Sequence, residues 1–145
     1  MKLKSPAFEE NQPIPPIYTC DGDNISPPFE ILDVPANAQS LALIMDDPDA
    51  PNGTFTHWLM WNISPQTHEI VENNIPEGSE QGTNSAGQLG YLGPCPPAGV
   101  HHYHFKLYGL NRKLNVTPNI SCSELEKEIN ESIIEKCELV GTYSR

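Results

Sequence analysis

Proline is the residue that most limits how this chain can fold. Fifteen of the 145 residues are proline, and most of them fall in clusters at 13–16, 27–28, 48–51 and 94–97. Proline fixes φ and lacks an amide hydrogen, so it is excluded from helix interiors and from central strands. The regular elements must therefore be short and lie between these clusters.

Apolar runs of strand length occupy the intervals and are bounded by turn residues. They are SLALIMD (40–46), HWLMWNI (57–63), YHFKLYGL (103–110) and, as a last strand, ELVGTY (138–143). The runs predict a mainly β fold of two packed antiparallel sheets. The length of the chain predicts one domain covering residues 1–145.

One helix is predicted, over residues 121–137 near the C-terminus. Leu125, Ile129, Ile133 and Cys137 recur every four residues and form one apolar stripe. A capping box could begin the helix at Ser121 with Glu124, or equally at Ser123 with Glu126. We expect this helix to lie on the periphery of the sheets.

The charge pattern excludes several classes of partner. The net charge is −11, and the eight Lys and Arg residues are scattered, which argues against nucleic acid and anionic membranes. No apolar run resembles a signal sequence or a membrane span, so the chain is predicted to be cytoplasmic. The four cysteines lack CxxC spacing, so reduced thiols are expected and a zinc knuckle is not.

Strand alternation places a titratable residue at the end of three apolar rows. The rows are Leu41, Leu43, Met45 and Asp47; His57, Leu59, Trp61 and Ile63; and His101, Tyr103, Phe105 and Leu107. If the strands are neighbours, Asp47, His57 and His101 converge at one end of the core. His102 and His104 fall on the more solvated face.

These residue types suit an anion pocket. A carboxylate, Asp47 or Asp49, would orient a histidine ring and favour its charged form. His57 or His101 could then hold an anion, and Tyr103 could donate its hydroxyl. Backbone amides near Gly90–Gly93 could add a small anion-binding nest.

Several segments together resemble the phosphatidylethanolamine-binding protein family, also called Raf kinase inhibitor-like proteins. They are LALIMDDPDAP, HWLMWNI, GPCPPAGVHHYHFKLYGL, YTCDGDNISPPFE and the final ELVGTYSR. The short spacing from DPDAP to HW and the Cys of GPCPP are similar to the bacterial and archaeal branch. The resemblance covers nearly the whole chain.

This resemblance implies a Greek-key β-sandwich and a small anion pocket at one end. The pocket residues that it implies are Asp47, His57, Gly93, His101 and Tyr103, with Asp49 and Pro94 on the rim. The implied ligand is phosphate, acetate, cacodylate or a phosphorylated head group such as phosphoethanolamine. It also implies a homodimer and a binding or regulatory role without cofactor, metal or catalytic residues.

Two departures from the family pattern count against the eukaryotic roles of kinase inhibition and stable lipid carriage. His102 replaces an Arg, and the longer eukaryotic segments are absent.

Three other functions stay open at this stage. Cys95 could be the nucleophile of a hydrolase with His101 as base, although the flanking prolines remove nearby amides for an oxyanion hole. His57, His101 and a carboxylate could bind zinc, and His102 with His104 form a weaker metal pair. The pocket could also be vestigial, with a surface carrying the function.

Overall fold

The computed structural model describes residues 1–145, and its elements are short and mostly strands. The strands are β1 (Lys2–Lys4), β2 (Phe29–Leu32), β3 (Ser40–Asp47), β4 (Phe55–Ile63), β5 (Glu69–Ile70), β6 (Glu80–Gln81), β7 (Val100–Leu110) and β8 (Ile133–Ser144). One α-helix, α1 (Cys122–Asn130), and a 3₁₀ turn (Pro16–Tyr18) complete the chain. No helix is long and apolar enough to cross a membrane.

The strands form two antiparallel sheets, as the sequence predicts. The smaller sheet has the order β1-β2-β5, and the larger has the order β6-β4-β3-β7-β8. In the larger sheet β7 returns beside β3 after the chain has passed through β4 and β6, which gives the Greek-key order β7-β3-β4-β6. The predicted mainly β, Greek-key sandwich is confirmed.

Two apolar clusters hold the layers together. The main core of 18 buried residues lies between the sheets and includes Phe29 and Ile31 of the small sheet. The helix-side cluster of eight residues packs α1 on the outer face of the large sheet through Leu125 and Ile129. The central strand β3 is therefore buried on both faces along its whole length.

The predicted helix over 121–137 is too long, because the chain changes to strand at Ile133. Helix α1 ends at Asn130, and residues 133–144 pair with β7 along its whole length. Pairing with β7 outweighs the four-residue periodicity that extended the prediction to Cys137, since it satisfies the backbone and adds a fifth strand. The start of the helix is as predicted at Ser121, whose side chain accepts a hydrogen bond from the amide of Glu124.

The expectation of reduced thiols is wrong for two of the four cysteines. Cys20 and Cys95 form a disulfide across a sequence separation of 75 residues, whereas Cys122 and Cys137 are free. A CxxC spacing detects only cysteines that are close in the sequence. This disulfide joins two loops that are distant in the sequence and that the fold brings together. Both bonded cysteines are exposed.

Candidate functional site

Three strand ends meet at one corner of the sandwich. Asp47 ends β3, His57 lies near the start of β4, and His101 lies near the start of β7. Because β3 is antiparallel to both neighbours, its end lies beside the starts of β4 and β7. These three side chains are buried, as is Tyr103.

The ring of Tyr103 packs near both histidines. Its centroid is 5.3 Å from that of His57, with an edge-to-face arrangement, and 6.4 Å from that of His101. Phe55 covers the other side of His57 at 4.7 Å. We call Asp47, His57, His101 and Tyr103 the polar corner.

His57 reaches the polar corner through a β-bulge. Met45 pairs with Trp58, but the next residue of β3, Asp46, pairs with Thr56, so His57 is an extra residue in β4. A bulge changes the direction of the side chain it carries and is frequent beside functional sites.

This bulge and a second one, opposite Leu41–Leu43 of β3, make the predicted row on β4 wrong. Leu59 and Trp61 pack in the helix-side cluster, whereas Ile63 belongs to the main core and His57 contacts Tyr103 of that core. A strict two-residue period therefore places His57 at the correct corner. It also groups His57 with Leu59 and Trp61, whose side chains lie on the other face of the sheet. The row of β7 is regular: His101 and Tyr103 are buried, and the intervening His102 is exposed.

Asp47 is the acceptor that orients His101. Its Oδ2 lies 2.6 Å from Nδ1 of His101, and its Oδ1 accepts the amide hydrogen of Asp49 at 2.8 Å. A carboxylate only accepts hydrogen bonds, so Nδ1 of His101 carries the proton.

A backbone carbonyl orients His57 in the same way. Nδ1 of His57 lies 2.7 Å from the carbonyl oxygen of Leu92, which can only accept, so Nδ1 donates. Burial lowers the pKa of His57 below its usual value, and the carbonyl of Leu92 and the charge of Asp47 only partly oppose that shift. His57 is therefore neutral near pH 7, and its Nε2 is an acceptor.

Tyr103 keeps its proton over the whole physiological range. Burial raises the pKa of its hydroxyl, and the charges of Asp47 and Asp49 raise it further. The hydroxyls of Tyr18, Tyr91 and Tyr143 all donate to protein oxygens. Tyr103 has no such partner, so its hydroxyl is free to donate to a ligand.

Asp49 lies on the exposed rim and contacts His102, which stands where the family pattern has an Arg. Its Oδ2 accepts hydrogen bonds from both the amide and Nδ1 of His102, each at 2.8 Å. These bonds from His102 lower the pKa of Asp49. Asp49 is therefore directed at His102, away from His101.

Gly93 and Pro94 follow Leu92 in a segment that we call the wall loop (residues 91–97). Both are buried. The amide of Gly93 donates to Asn24 Oδ1 at 2.7 Å, that of Leu92 to the carbonyl of His57, and that of Gly90 to Gly82. Three of the four amides of the nest predicted at residues 90–93 therefore already have acceptors within the protein, which counts against this prediction.

A second segment, residues 16–24, holds the wall loop in place, and we call it the strap. Its contacts are the Cys20–Cys95 disulfide, the hydrogen bond from Cys20 to the carbonyl of Pro94, and the bond from the Tyr91 hydroxyl to the carbonyl of Tyr18. Sequence reasoning missed the supporting roles of Leu92 and the strap, because a backbone acceptor leaves no residue-type signal.

The other two chemical hypotheses do not fit this geometry. Cys95 is in a disulfide and has no thiol for nucleophilic attack. No group of three or more His, Cys, Asp and Glu residues is arranged to hold a metal ion. His102 and His104 bind different carboxylates, Asp49 and Glu138.

The lowered pKa of His57 predicts a pH dependence of stability. Between the folded-state pKa and about 6.5, the unfolded chain binds more protons at this residue, so the free energy of unfolding rises with pH. Stability is fully present above about pH 6.5 and is lost as pH falls through the folded-state pKa. Urea denaturation from pH 5 to 8 should show this slope in the wild type and a smaller slope in His57→Gln.

The exposed His68 supplies the control for this measurement. His68→Gln should retain the wild-type slope. An unchanged slope in His57→Gln would show that His57 is not the group that couples protons to folding.

The fold and the corner together define a class: a Greek-key β-sandwich with oriented histidines at one end. The family model described as phosphatidylethanolamine-binding protein matches residues 4–144. The chain belongs to the phosphatidylethanolamine-binding protein family.

Relatives and solved structures agree over the full length. The chain is 46% identical to a UPF0098 protein of Methanothermobacter thermautotrophicus, covering all of this chain and 99% of that protein. A UPF0098 protein of Pyrococcus horikoshii is 51% identical, with 78% of its length covered. The crystal structure of the homologue CT736 from Chlamydia trachomatis superposes with a TM-score of 0.95 at 39% identity, covering 99% of this chain and 97% of that one. E. coli YbcL, described as a member of the mammalian family, gives 0.93 at 28% identity, with coverage of 99% and 98%.

Proposed function

We propose that this protein binds a small phosphate-like anion, free or as a phosphorylated head group, at the polar corner. The observation that carries the proposal is the orientation of both histidines. Each Nδ1 is held by a protein acceptor, Asp47 or Leu92, which leaves both Nε2 atoms for a ligand. The ring of Tyr103, whose hydroxyl has no protein partner, packs near both histidine rings.

The hydrogen-bonding groups of the polar corner suit an anionic ligand that also carries a hydroxyl hydrogen. His101, held at Nδ1 by Asp47, directs its Nε2 to an anionic oxygen of the ligand. Neutral His57 accepts from a ligand hydroxyl such as P–OH, or takes up a proton and then donates. Binding should therefore strengthen as pH falls through the range in which His57 gains a proton, until the phosphate itself is protonated.

NMR titration with inorganic phosphate and with O-phosphoethanolamine tests this proposal. The imidazole signals of His57 and His101 should shift together with the ring signals of Tyr103, at the same ligand concentration. Shifts confined to His68, His102 and His104 would contradict the proposal. Equal affinities for both ligands would assign recognition to the phosphate, and tighter binding of phosphoethanolamine would add a contact to its ammonium group.

Asp47→Asn is expected to weaken phosphate binding about tenfold near neutral pH, because it replaces the carboxylate that holds His101 by an amide and loses a charge-assisted hydrogen bond. The amide also has one acceptor, whereas Asp47 accepts from both His101 and Asp49. Calorimetric titration measures the affinity, and Asp46→Asn is the control, since Asp46 binds Lys106 on the opposite face of β3.

The effect of Asp47→Asn should shrink in a His101→Ala background, because coupled groups are not additive. It should shrink less in His57→Ala, since His57 is oriented by Leu92 and Asp47 acts on it only through its charge. Tighter phosphate binding by Asp47→Asn at every pH would contradict the orienting role and would show that repulsion by the carboxylate dominates.

We also propose, from the family resemblance, that the protein acts as a homodimer and without catalysis. Light scattering coupled to size exclusion should give twice the chain mass of 16.1 kDa. A mass of one chain at micromolar concentration would contradict the dimer and would leave the anion proposal intact.

A further inference from the structure

The Cys20–Cys95 disulfide lies at the surface, directly beside an arginine. Both cysteines are exposed, and Nη1 of Arg145 lies 3.3 Å from Sγ of Cys95. The same guanidinium contacts Asp21 through Nη2 at 3.3 Å, and Asp21 also accepts the hydroxyl of Tyr143 at 2.6 Å. The arginine is thus held by the strap residue next to Cys20.

We propose that Cys20–Cys95 is a reductant-accessible exchange site, in which Arg145 makes Cys95 the leaving thiolate and whose opening frees the strap from the wall loop. The reductant is a small thiol or a dithiol. The proposal does not depend on anion binding at the polar corner.

The direction of exchange follows from charge. Disulfide exchange is fastest when the departing sulfur is the more stable thiolate, and a neighbouring guanidinium stabilises a thiolate. Arg145 contacts Cys95, so the incoming thiolate should attack Sγ of Cys20. Asp21 acts against this stabilisation, because it shares the guanidinium and carries a negative charge.

The bonds and electrons of the reaction balance with a dithiol. Its first thiolate forms a mixed disulfide with Cys20, and the electrons of the broken S–S bond leave with Cys95. Its second thiolate then attacks its own sulfur in the mixed disulfide and releases Cys20 as thiolate. The dithiol ends as a disulfide, and the protein gains two electrons and two protons.

Reduction of the disulfide should weaken the attachment of the wall loop to the strap. Without the disulfide, the strap and the wall loop are joined by the hydrogen bonds from Cys20 to Pro94, Gly93 to Asn24, and Tyr91 to Tyr18. The strands of the sandwich do not depend on these bonds, so we expect local opening while the sheets stay folded.

The site of attack can be read directly from the native protein. A short pulse of glutathione, followed by iodoacetamide and peptide mass spectrometry, should find glutathione on Cys20 and the alkyl group on Cys95. Glutathione mainly on Cys95 would overturn the leaving-group assignment. A disulfide that reacts only in denaturant would overturn its accessibility.

The role of Arg145 is tested by the rate of reduction with dithiothreitol. Arg145→Gln should slow reduction about threefold, and Asp21→Asn should accelerate it by a similar factor. Arg112→Gln is the matched control, because Arg112 is similarly exposed and pairs with Glu128 away from the disulfide. Equal rates for Arg145→Gln, Arg112→Gln and the wild type would overturn the role of Arg145.

Hydrogen exchange of the reduced and oxidised forms tests the release of the strap. The amides of Cys20 and Gly93 should exchange at least about tenfold faster after reduction, and those of β3 and β4 should not change. Unchanged protection at Cys20 and Gly93 would show that hydrogen bonds alone hold the strap. Equal acceleration in β3 and β4 would show global unfolding and would overturn local release.

Discussion

Replacing Cys20 and Cys95 together by serine is expected to lower the free energy of unfolding by about 3–4 kcal/mol. The two cysteines are 75 residues apart, so their bond closes more than half of the chain into one loop of the unfolded ensemble. In the chain-entropy model a loop of this length contributes about 4 kcal/mol, and measured values are commonly somewhat smaller. Urea denaturation of the oxidised wild type and the double variant measures the difference.

A control must separate loss of the crosslink from loss of a thiol. Cys137→Ser provides it, because Cys137 is free and half-buried at the surface of the main core. We expect this control to lose less than about 1 kcal/mol. A double variant that loses no more than the control would show that the strap is already ordered in the unfolded ensemble or that the crosslink adds no net stability.

The strands could be predicted because a period of two and proline boundaries are local properties of the sequence. The runs at 40–46 and 57–63 lie within β3 and β4, and the run at 103–110 lies within β7. The small sheet was harder to predict, since β1, β2 and β5 have only two to four residues each. Runs this short contain too few alternations to distinguish a strand from a loop.

The helix that was predicted too long and the apolar row that was assigned wrongly on β4 share one physical cause. In both, pairing with a neighbouring strand overrides the local periodicity of the sequence. Residues 133–137 continue a helical stripe but pair with β7, and the bulge at His57 shifts the phase of β4. Both features depend on a partner strand that lies more than 20 residues away or on the opposite side of a turn. A single sequence carries no record of such a partner.

The candidate site was predictable as residue types but not as a network. Asp47, His57, His101 and Tyr103 could be selected because polar residues at the ends of apolar rows are unusual. The acceptor of His57 could not, because it is the backbone carbonyl of Leu92. The amides of the wall loop were misjudged for the complementary reason: their acceptors, such as Asn24, lie on the distant strap.

Gly93→Ala is expected to destabilise the fold by roughly 2–3 kcal/mol, because the added methyl group has no space. A Cβ at this position would lie 2.4 Å from both Asn24 Oδ1 and the carbonyl oxygen of Tyr18. One of these contacts is backbone, so a side-chain rotation at Asn24 cannot relieve it. The strap must move away from the wall loop, which also displaces Leu92, the acceptor of His57.

The variant should therefore lose stability and anion affinity together, measured by urea denaturation and by phosphate titration. Gly109→Ala is the matched control: Gly109 is also buried, but its Cβ would meet its nearest neighbours at 3.7–3.9 Å, which is ordinary contact. Asn24→Ala in the Gly93→Ala background should restore only part of the loss, because the carbonyl of Tyr18 remains. If Gly93→Ala is as stable as Gly109→Ala, the strap yields without cost and does not hold the wall loop. If stability falls while phosphate affinity is unchanged, the orientation of His57 by Leu92 is not needed for binding.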